Sequence, residues 1–148
     1  MANEVPYAFP VELLKGNHDF ASDTFYLALY TANPYTQSTS TVYVAASESS
    51  GTEYSAGGNT LSGNAVSNVA DIATVDFTDS VWGSPTPATF DAAYGAIYNT
   101  STSPVNKLVV VLDFLGTKSC SNGTFTVTFP DPTSGSPSGA DALLSITS

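Results

Sequence analysis

Apolar and polar residues alternate over short stretches along most of this chain, and prolines, glycines and asparagines separate the stretches. Alternation with a period of two places one set of side chains on each face of a β-strand. The segment 24–31, TFYLALYT, is the clearest example, because a phenylalanine and two leucines alternate there with two tyrosines and an alanine. Strand patterns also occupy 41–46, 64–69, 73–78, 89–99, 107–114, 123–130 and 142–147. About eight short strands separated by turns favour an all-β fold, an antiparallel β-sandwich of jelly-roll or Ig-like type.

Two segments near the middle and end of the chain give more detailed expectations. Residues 108–112, LVVVL, are apolar on both faces, which predicts a central strand or one whose outer face another chain covers. Asn122 and Gly123 can supply the positive φ values of a tight turn, so we expect 107–114 and 123–130 to pair as a hairpin. In 123–130, threonines alternate with apolar residues, which predicts one face toward solvent and one toward the core.

The N-terminal segment differs from this pattern. EVPYAFPVELLKG at 4–16 contains two prolines and then apolar residues, so it is either an extended arm or one helical turn that Gly16 ends. The rest of the chain contains no internal repeat and no linker, and 148 residues is an ordinary size for one domain. We therefore expect an N-terminal arm or short helical turn at 1–16 and a single β-sandwich domain at 17–148.

The charge balance is strongly acidic. Thirteen acidic residues, three lysines and no arginine give a net charge of −10. Nucleic-acid binding depends on basic side chains that neutralise phosphates, so this composition argues against DNA and RNA as direct partners. No stretch approaches the roughly 18 apolar residues of a membrane span. The first residues lack the basic and apolar regions of a secretory signal, so we expect a soluble protein without a membrane partner.

Candidate chemical groups are sparse. His18 and Asp19 form an imidazole–carboxylate pair, but no Gly-x-Ser-x-Gly motif supplies the serine of a hydrolase triad. Oxygen-rich loops with Asp19, Asp23, Asp71 or Asp79 suit calcium, although the chain has no EF-hand loop. The residues therefore predict no enzyme, no catalytic residue, no metal ligand and no cofactor. A carbohydrate-binding module or hydrolase remains an alternative of another class, with Trp82 as a sugar-stacking residue and aspartates such as Asp76 as acids.

Four segments in a fixed order carry a resemblance to a known family. They are VELLKGNHDFASDTFYLALYT, ESSGTEYSAGGNTLSG, ATFDAAYGAIYNT and KLVVVLDFLGTKSCSNGTFTVTFP. The more specific motifs are Leu-Leu-x-Gly-x-His-Asp at 13–19 and Tyr-x-Ala-Gly-Gly at 54–58. Together the segments, which span 11–130, resemble a family of small structural virion proteins of tailed bacteriophages. The chain departs from the family pattern at Tyr94, where members often carry arginine, and at Leu115, where they carry glycine.

The resemblance implies a role in assembly rather than in catalysis. The expected function is that of a capsid cement or decoration protein, which binds and stabilises the major capsid protein lattice. The expected partners are the major capsid protein and further copies of this chain, as a dimer or trimer. The expected location is the capsid surface of the virion, after assembly in the host cytoplasm. A tail or neck structural protein of the phage is the alternative within the same class.

The residues expected at an interface are apolar side chains of the N-terminal arm and aromatic side chains of the strand at 24–31. They are Val5, Tyr7, Phe9, Val11, Leu13, Leu14, Tyr26 and Tyr30. Ordinary core packing would account for the same residue types equally well. If the arm reaches over a neighbour, removing residues 1–12 should leave a folded protein that no longer binds capsids.

Overall fold

The computed structural model describes residues 3–69, 72–101, 105–129 and 144–147, which contain one short helix and nine strands. The helix α1 spans Ala8–Leu14. The strands are β1 (Phe25–Tyr30), β2 (Asn59–Thr60), β3 (Ala65–Val69), β4 (Ile72–Asp76), β5 (Ser80–Trp82), β6 (Ala88–Asn99), β7 (Lys107–Gly123), β8 (Phe125–Val127) and β9 (Leu144–Thr147). Every strand pair is antiparallel. The all-β class expected from the alternating pattern is therefore confirmed.

The strands form three sheets with an aromatic core between them. The largest sheet has the order β2-β1-β6-β7, and the smaller sheets have the orders β3-β4-β9 and β5-β8. One core cluster combines Leu27 and Ile97 of the large sheet with Trp82 of β5 and Phe125 of β8. Val75 of β4 packs against the same cluster. Because side chains of all three sheets share this core, the architecture is a sandwich.

The large sheet is covered on both of its faces. Phe25, Leu27 and Leu29 belong to the core between the sheets. Ala28 and Tyr30 point the other way, into a second cluster of buried residues that contains several tyrosines. The loops between β1 and β2 supply part of that second cluster, which includes Tyr35. Both faces of β1 are therefore buried by the chain itself.

The apolar stretch 108–112 in β7 is also buried on both faces, but β7 is not central. It lies at the end of the strand order, so the expectation of a central strand is wrong. Its outer edge is occupied by the N-terminal segment, where Glu4 and Val111 exchange two backbone hydrogen bonds of 2.8 Å each. A β-bulge at Val109 shifts the alternation, which places Leu108 in the tyrosine cluster and Val110 in the other core.

The expected hairpin between 107–114 and 123–130 does not form. Strand β7 continues to Gly123 and stays paired with β6, and β8 pairs instead with β5, where Phe125 lies opposite Trp82. This pairing buries Phe125 against the rings of Trp82 and Phe90, at centroid distances of 6.1 and 5.1 Å. The alternation within β8 is confirmed, since its apolar residues are buried and its threonine is exposed. Segment 41–46 forms only an isolated bridge, between Val42 and Lys107.

The N-terminal segment adopts the helical alternative. Lys15 and Gly16 donate backbone hydrogen bonds to the carbonyls of Val11 and Leu13, which close the last turn of α1. Gly16 has φ +74°, a left-handed conformation that glycine adopts without a Cβ penalty. Gly16 therefore ends the helix, as its position in the sequence predicts.

Candidate interaction surface

Helix α1 is held firmly on the sandwich. Phe9 is buried, and its ring centroid lies 5.2 Å from that of His18 and 6.1 Å from that of Phe20. The Lys107 ammonium donates a hydrogen bond of 3.1 Å to the Glu12 carboxylate, which joins the helix to the start of β7. These contacts fix one face of α1 against the body of the protein. The opposite face is consequently presented in a defined orientation.

That opposite face carries an exposed apolar surface. Tyr7, Val11 and Leu14 have 63%, 51% and 89% of their surface exposed. Their spacing of four and three residues places them on one side of a helix. We call these three residues the α1 stripe. Three of the side chains expected at an interface therefore lie together on the surface, on a helix whose other side is anchored.

The remaining predicted residues of the N-terminal segment serve the core. Val5 and Leu13 are half-buried and pack against the core between the sheets, and Phe9 is a member of it. Phe9 is therefore not available to a partner, contrary to expectation. Removing residues 1–12 would also open this core and delete the Glu12 partner of Lys107. We therefore expect the truncation to destabilise the sandwich as well, so point substitutions in the α1 stripe are the better probe.

The two tyrosines predicted at an interface lie in the tyrosine cluster instead. Tyr30 has no exposed surface, and its hydroxyl donates to the Val44 carbonyl at 2.9 Å and lies 2.7 Å from the Tyr35 hydroxyl. Burial raises the pKa of Tyr30 above its usual range. Tyr26 is half-buried, and its ring stacks on Tyr98 at 5.8 Å. The assignment of Tyr30 to an interface is wrong, because the segment after β1 folds back and covers it.

Glu48 organises this covering segment, although no sequence pattern predicts such a role for it. Its carboxylate accepts hydrogen bonds from the Tyr43 hydroxyl at 2.6 Å, the Tyr54 hydroxyl at 2.8 Å and the Gly57 backbone N–H at 2.6 Å. Burial, together with the adjacent carboxylate, raises the pKa of Tyr43 and of Tyr54. Burial raises the pKa of Tyr98 to about 12. All of these phenols stay protonated at neutral pH and act as hydrogen-bond donors in the cluster.

An apolar groove runs beside α1. It has a volume of about 630 Å³ and lies between the helix and the β3–β4 ladder. Val5 and Leu13 line it from the N-terminal side, and Val66 and Val75 line it from the ladder. Val66 is 57% exposed. The groove thus lies on the side of α1 that carries Phe9 and Leu13, and the α1 stripe lies on the opposite side of the helix.

The only histidine of the chain is buried in a hydrogen-bond network near this groove. The Asn99 side-chain nitrogen lies 3.2 Å from His18 Nδ1 and donates to the Asp23 carboxylate at 2.7 Å. Because the amide stands between them, Asp23 does not orient the imidazole as the aspartate of a hydrolase triad does. Burial lowers the pKa of His18, so the ring is neutral at pH 7. His18 Nε2 is buried, and within the described residues it has no hydrogen-bond partner.

The other candidate chemical groups have structural roles. Trp82 is only 2% exposed, so the suggestion that it stacks on a sugar is wrong, and it packs in the core instead. The Asp19 carboxylate accepts hydrogen bonds from the Ala21 backbone and the Ser22 hydroxyl within its own turn. Asp79 accepts one from the Phe129 backbone at 2.9 Å. Asp71 lies outside the described residues, and the described residues contain no cluster of three potential metal ligands.

Comparisons with known proteins add no further assignment. No family model, no curated protein and no solved structure matches this chain. None of the helices in the described part of the chain is long and apolar enough to cross a membrane.

Proposed function

We propose that this chain is a structural virion protein of a tailed phage, a cement or decoration protein that binds the outside of the major capsid protein lattice and stabilises it. The virion assignment rests on the sequence resemblance. The proposed way of binding is supported by the α1 stripe. This exposed apolar surface lies on a helix that is anchored by Phe9 and by the Glu12–Lys107 pair. In this proposal the stripe contacts the capsid lattice.

The anchoring of the helix favours this mode of binding. A partner that binds an already ordered surface does not have to supply the free energy of ordering it. The three residues of the stripe are few compared with the roughly 20–30 residues that each side of a stable protein interface contributes, so each single contact is weak. A lattice presents many equivalent sites, and copies that also contact one another gain avidity. Weak individual contacts are therefore sufficient for a protein that covers a shell.

The charge distribution favours the outside of the shell. A chain with thirteen acidic residues and three lysines is repelled by packaged DNA, which is itself a dense array of phosphates. On the outer surface the same charge keeps free copies soluble and separate before they bind. The phenols of the tyrosine cluster are protonated and Trp82 is buried. Neither feature supports an enzymatic or sugar-binding role for the described residues.

Substitution in the α1 stripe tests this proposal. Leu14→Ser and Val11→Ser remove exposed apolar surface without touching the core, so both variants should fold normally. We expect each to bind purified heads that lack the protein about tenfold more weakly than the unchanged chain, as measured by cosedimentation. Val105→Ser is the matched control, because Val105 is 58% exposed but lies in the loop before β7. Equal binding by all four proteins would contradict a role for the stripe.

A second experiment separates the capsid from the tail. Heads assembled without the protein should lose heat and osmotic stability, and should regain both when the purified chain is added. Purified virions should contain the protein in the high copy number of a shell component. A copy number in the range of a tail or neck ring would instead favour the alternative role in the phage tail.

A further inference from the structure

His18 lies where helix α1 meets the large sheet. Its ring centroid lies 5.2 Å from that of Phe9 in α1 and 6.3 Å from that of Phe20. Its Nδ1 atom lies 3.2 Å from the side-chain nitrogen of Asn99, the last residue of β6. Only 6% of His18 is exposed. The imidazole therefore forms part of the surface on which the buried face of α1 packs.

The hydrogen bonds of Asn99 determine which nitrogen of His18 carries the proton. The Asn99 side-chain oxygen accepts a hydrogen bond of 2.8 Å from the Ser101 backbone N–H, which identifies the other terminal atom as the NH2 group. One hydrogen of that group is donated to the Asp23 carboxylate at 2.7 Å, and the second is directed to His18 Nδ1. In the neutral ring Nδ1 is therefore the acceptor, and Nε2 carries the hydrogen.

A second proton on this ring finds no acceptor in the folded structure. At Nδ1 it would face the Asn99 NH2 group, which is itself a donor, and His18 Nε2 has no hydrogen-bond partner in the described part of the chain. Turning the Asn99 amide around would direct its oxygen at the Asp23 carboxylate and its NH2 group at the Ser101 N–H. Hydrogen bonding, as well as burial, thus disfavours the charged ring.

The charged groups around His18 do not remove this penalty. Glu12 on α1 and Asp23 in the turn before β1 attract a positive ring, and Lys107 at the start of β7 repels it. The Asp23 carboxylate already accepts two hydrogen bonds, and Glu12 is paired with Lys107. The Asp19 carboxylate is exposed and is bonded within its own turn. Burial outweighs both attractions, so the pKa of His18 is lowered.

We propose that His18 is a pH-sensitive switch whose protonation releases helix α1 from the sandwich while the sheets stay folded. The positive ring gains hydrogen bonds only by leaving its buried position for water, and Phe9 of α1 packs against it there. The helix has only seven residues, and Phe9, Leu13 and Glu12 anchor it beside this ring. It is therefore small enough to open as a local unit. This inference does not depend on the proposed function.

NMR of the unchanged chain tests the first step. Because the chain has one histidine, the signals of this ring are free of overlap with other imidazoles. Nitrogen-15 spectra at pH 7 should show the hydrogen on Nε2 of His18. A hydrogen on Nδ1 would overturn the inference, and so would an imidazolium that forms while the α1 amides remain fully protected.

Hydrogen exchange of the full chain at pH 7 and pH 5, corrected for the intrinsic effect of pH, tests the release of the helix. Protection of residues 9–17 should fall about tenfold or more, because a histidine with the ordinary pKa of about 6.5 takes up a proton in the open state that the closed state refuses. The amides of β1 and β6 should be better protected than those of α1 at both pH values. Equal protection of α1 and β1 would mean that the chain opens only as a whole, which contradicts the inference.

Two substitutions of His18 remove the switch. His18→Gln cannot ionise, and His18→Phe also keeps a ring between Phe9 and Phe20. In whichever of them folds, α1 should be equally protected at pH 7 and pH 5. Glu12→Gln is the matched control, since Glu12 does not titrate in this range. It should lower α1 protection at both pH values and keep the tenfold fall. A fall that persists without His18 overturns the inference.

Discussion

Lys107 Nζ lies 3.1 Å from Glu12 Oε1, although 95 residues separate the two in the chain. Both side chains are largely buried, with 11% and 15% of their surfaces exposed. The pair joins helix α1 to the first residue of β7, the strand whose outer edge is also bonded to Glu4. It therefore determines how firmly the α1 stripe is presented to a partner.

Breaking this pair should loosen the helix while leaving the sandwich folded. Lys107→Met keeps the length of the side chain but leaves the Glu12 carboxylate with only Asn17 as a strong partner. A buried charge without its counterion is destabilising, so we expect the Tm to fall by a few degrees and the α1 amides to exchange faster. Hydrogen exchange measured by mass spectrometry reports on helix α1 and on the sandwich separately. Lys15→Met, at an exposed lysine just after the helix, removes only a weaker long-range attraction to Glu12 and should have much smaller effects.

The same pair makes a contribution that depends on pH. Hydrogen bonds from Asn17 and Lys107 lower the pKa of Glu12 below its ordinary value of 4.5. The ionised form is thus favoured by folding, and its contribution is complete above pH 4.5 and is lost as the pH falls through the lowered pKa. In Lys107→Met this loss should be smaller, which a comparison of Tm values at neutral and acidic pH will reveal.

His18 should produce a second pH dependence, at higher pH. Burial lowers the pKa of His18 below 6.5, and the carboxylates of Asp23 and Glu12 only partly oppose this. Below pH 6.5 the unfolded chain takes up a proton that the folded chain refuses, so stability falls as the pH falls from about 7 to about 5. His18→Gln cannot ionise and should flatten the Tm profile in this range. Since the chain has no other histidine, an unchanged profile would contradict the account.

Two glycines with similar backbone angles should respond very differently to alanine. Gly58 has φ +78°, and a Cβ there would lie 1.9 Å from the Leu27 carbonyl oxygen of β1. Gly16 has φ +74°, but a Cβ there would meet no atom within 4 Å. Gly16→Ala should therefore cost about 1 kcal/mol for backbone strain alone, and Gly58→Ala about 4 kcal/mol or more. Equal losses in urea unfolding would mean that β1 does not approach Gly58 as closely as described.

The Glu48 cluster should be sensitive to loss of charge. Glu48→Gln keeps one acceptor oxygen but replaces the other by an amide NH2, which then faces either the Tyr43 hydroxyl or the Tyr54 hydroxyl and the Gly57 N–H, all of which donate to Glu48. We expect the free energy of unfolding to fall by about 2 kcal/mol, because a hydrogen bond to a charged group contributes more to stability than one between neutral groups. Tyr43→Phe removes one of these bonds and should cost about half as much. A larger effect of Tyr43→Phe than of Glu48→Gln would show that the carboxylate is not the centre of the cluster.

The fold class follows from local patterns, since alternation in β1 and β6 is strong enough to set both faces of each strand. Pairing partners are less predictable. Asn122 and Gly123 suit a turn, but β7 remains paired with β6 to its last residue, and the burial of Phe125 against Trp82 favours β5 as the partner of β8. Burial in the core, which depends on contacts between distant segments, outweighs a local turn preference here.

The interaction surface was only partly predictable for a related reason. The spacing of Tyr7, Val11 and Leu14 identifies an apolar side of a helix, but the sequence does not show which side faces the core. Tyr30 and Phe9 are aromatic, as exposed anchor residues often are, yet Tyr30 is buried by the segment after β1 and Phe9 by the core between the sheets. The role of Glu48 could not be predicted from the sequence either, because its partners Tyr43, Tyr54 and Gly57 come together only when the segment after β1 folds back.

An electron cryomicroscopy map of the virion would show directly where the protein binds and which of its sides faces the shell. We expect sandwich-shaped density repeated over the outer face of the capsid lattice, with α1 and its exposed side chains Tyr7, Val11 and Leu14 directed toward the major capsid protein. Density for this fold only in the tail or neck, or on the capsid with α1 directed away from the lattice, would contradict it.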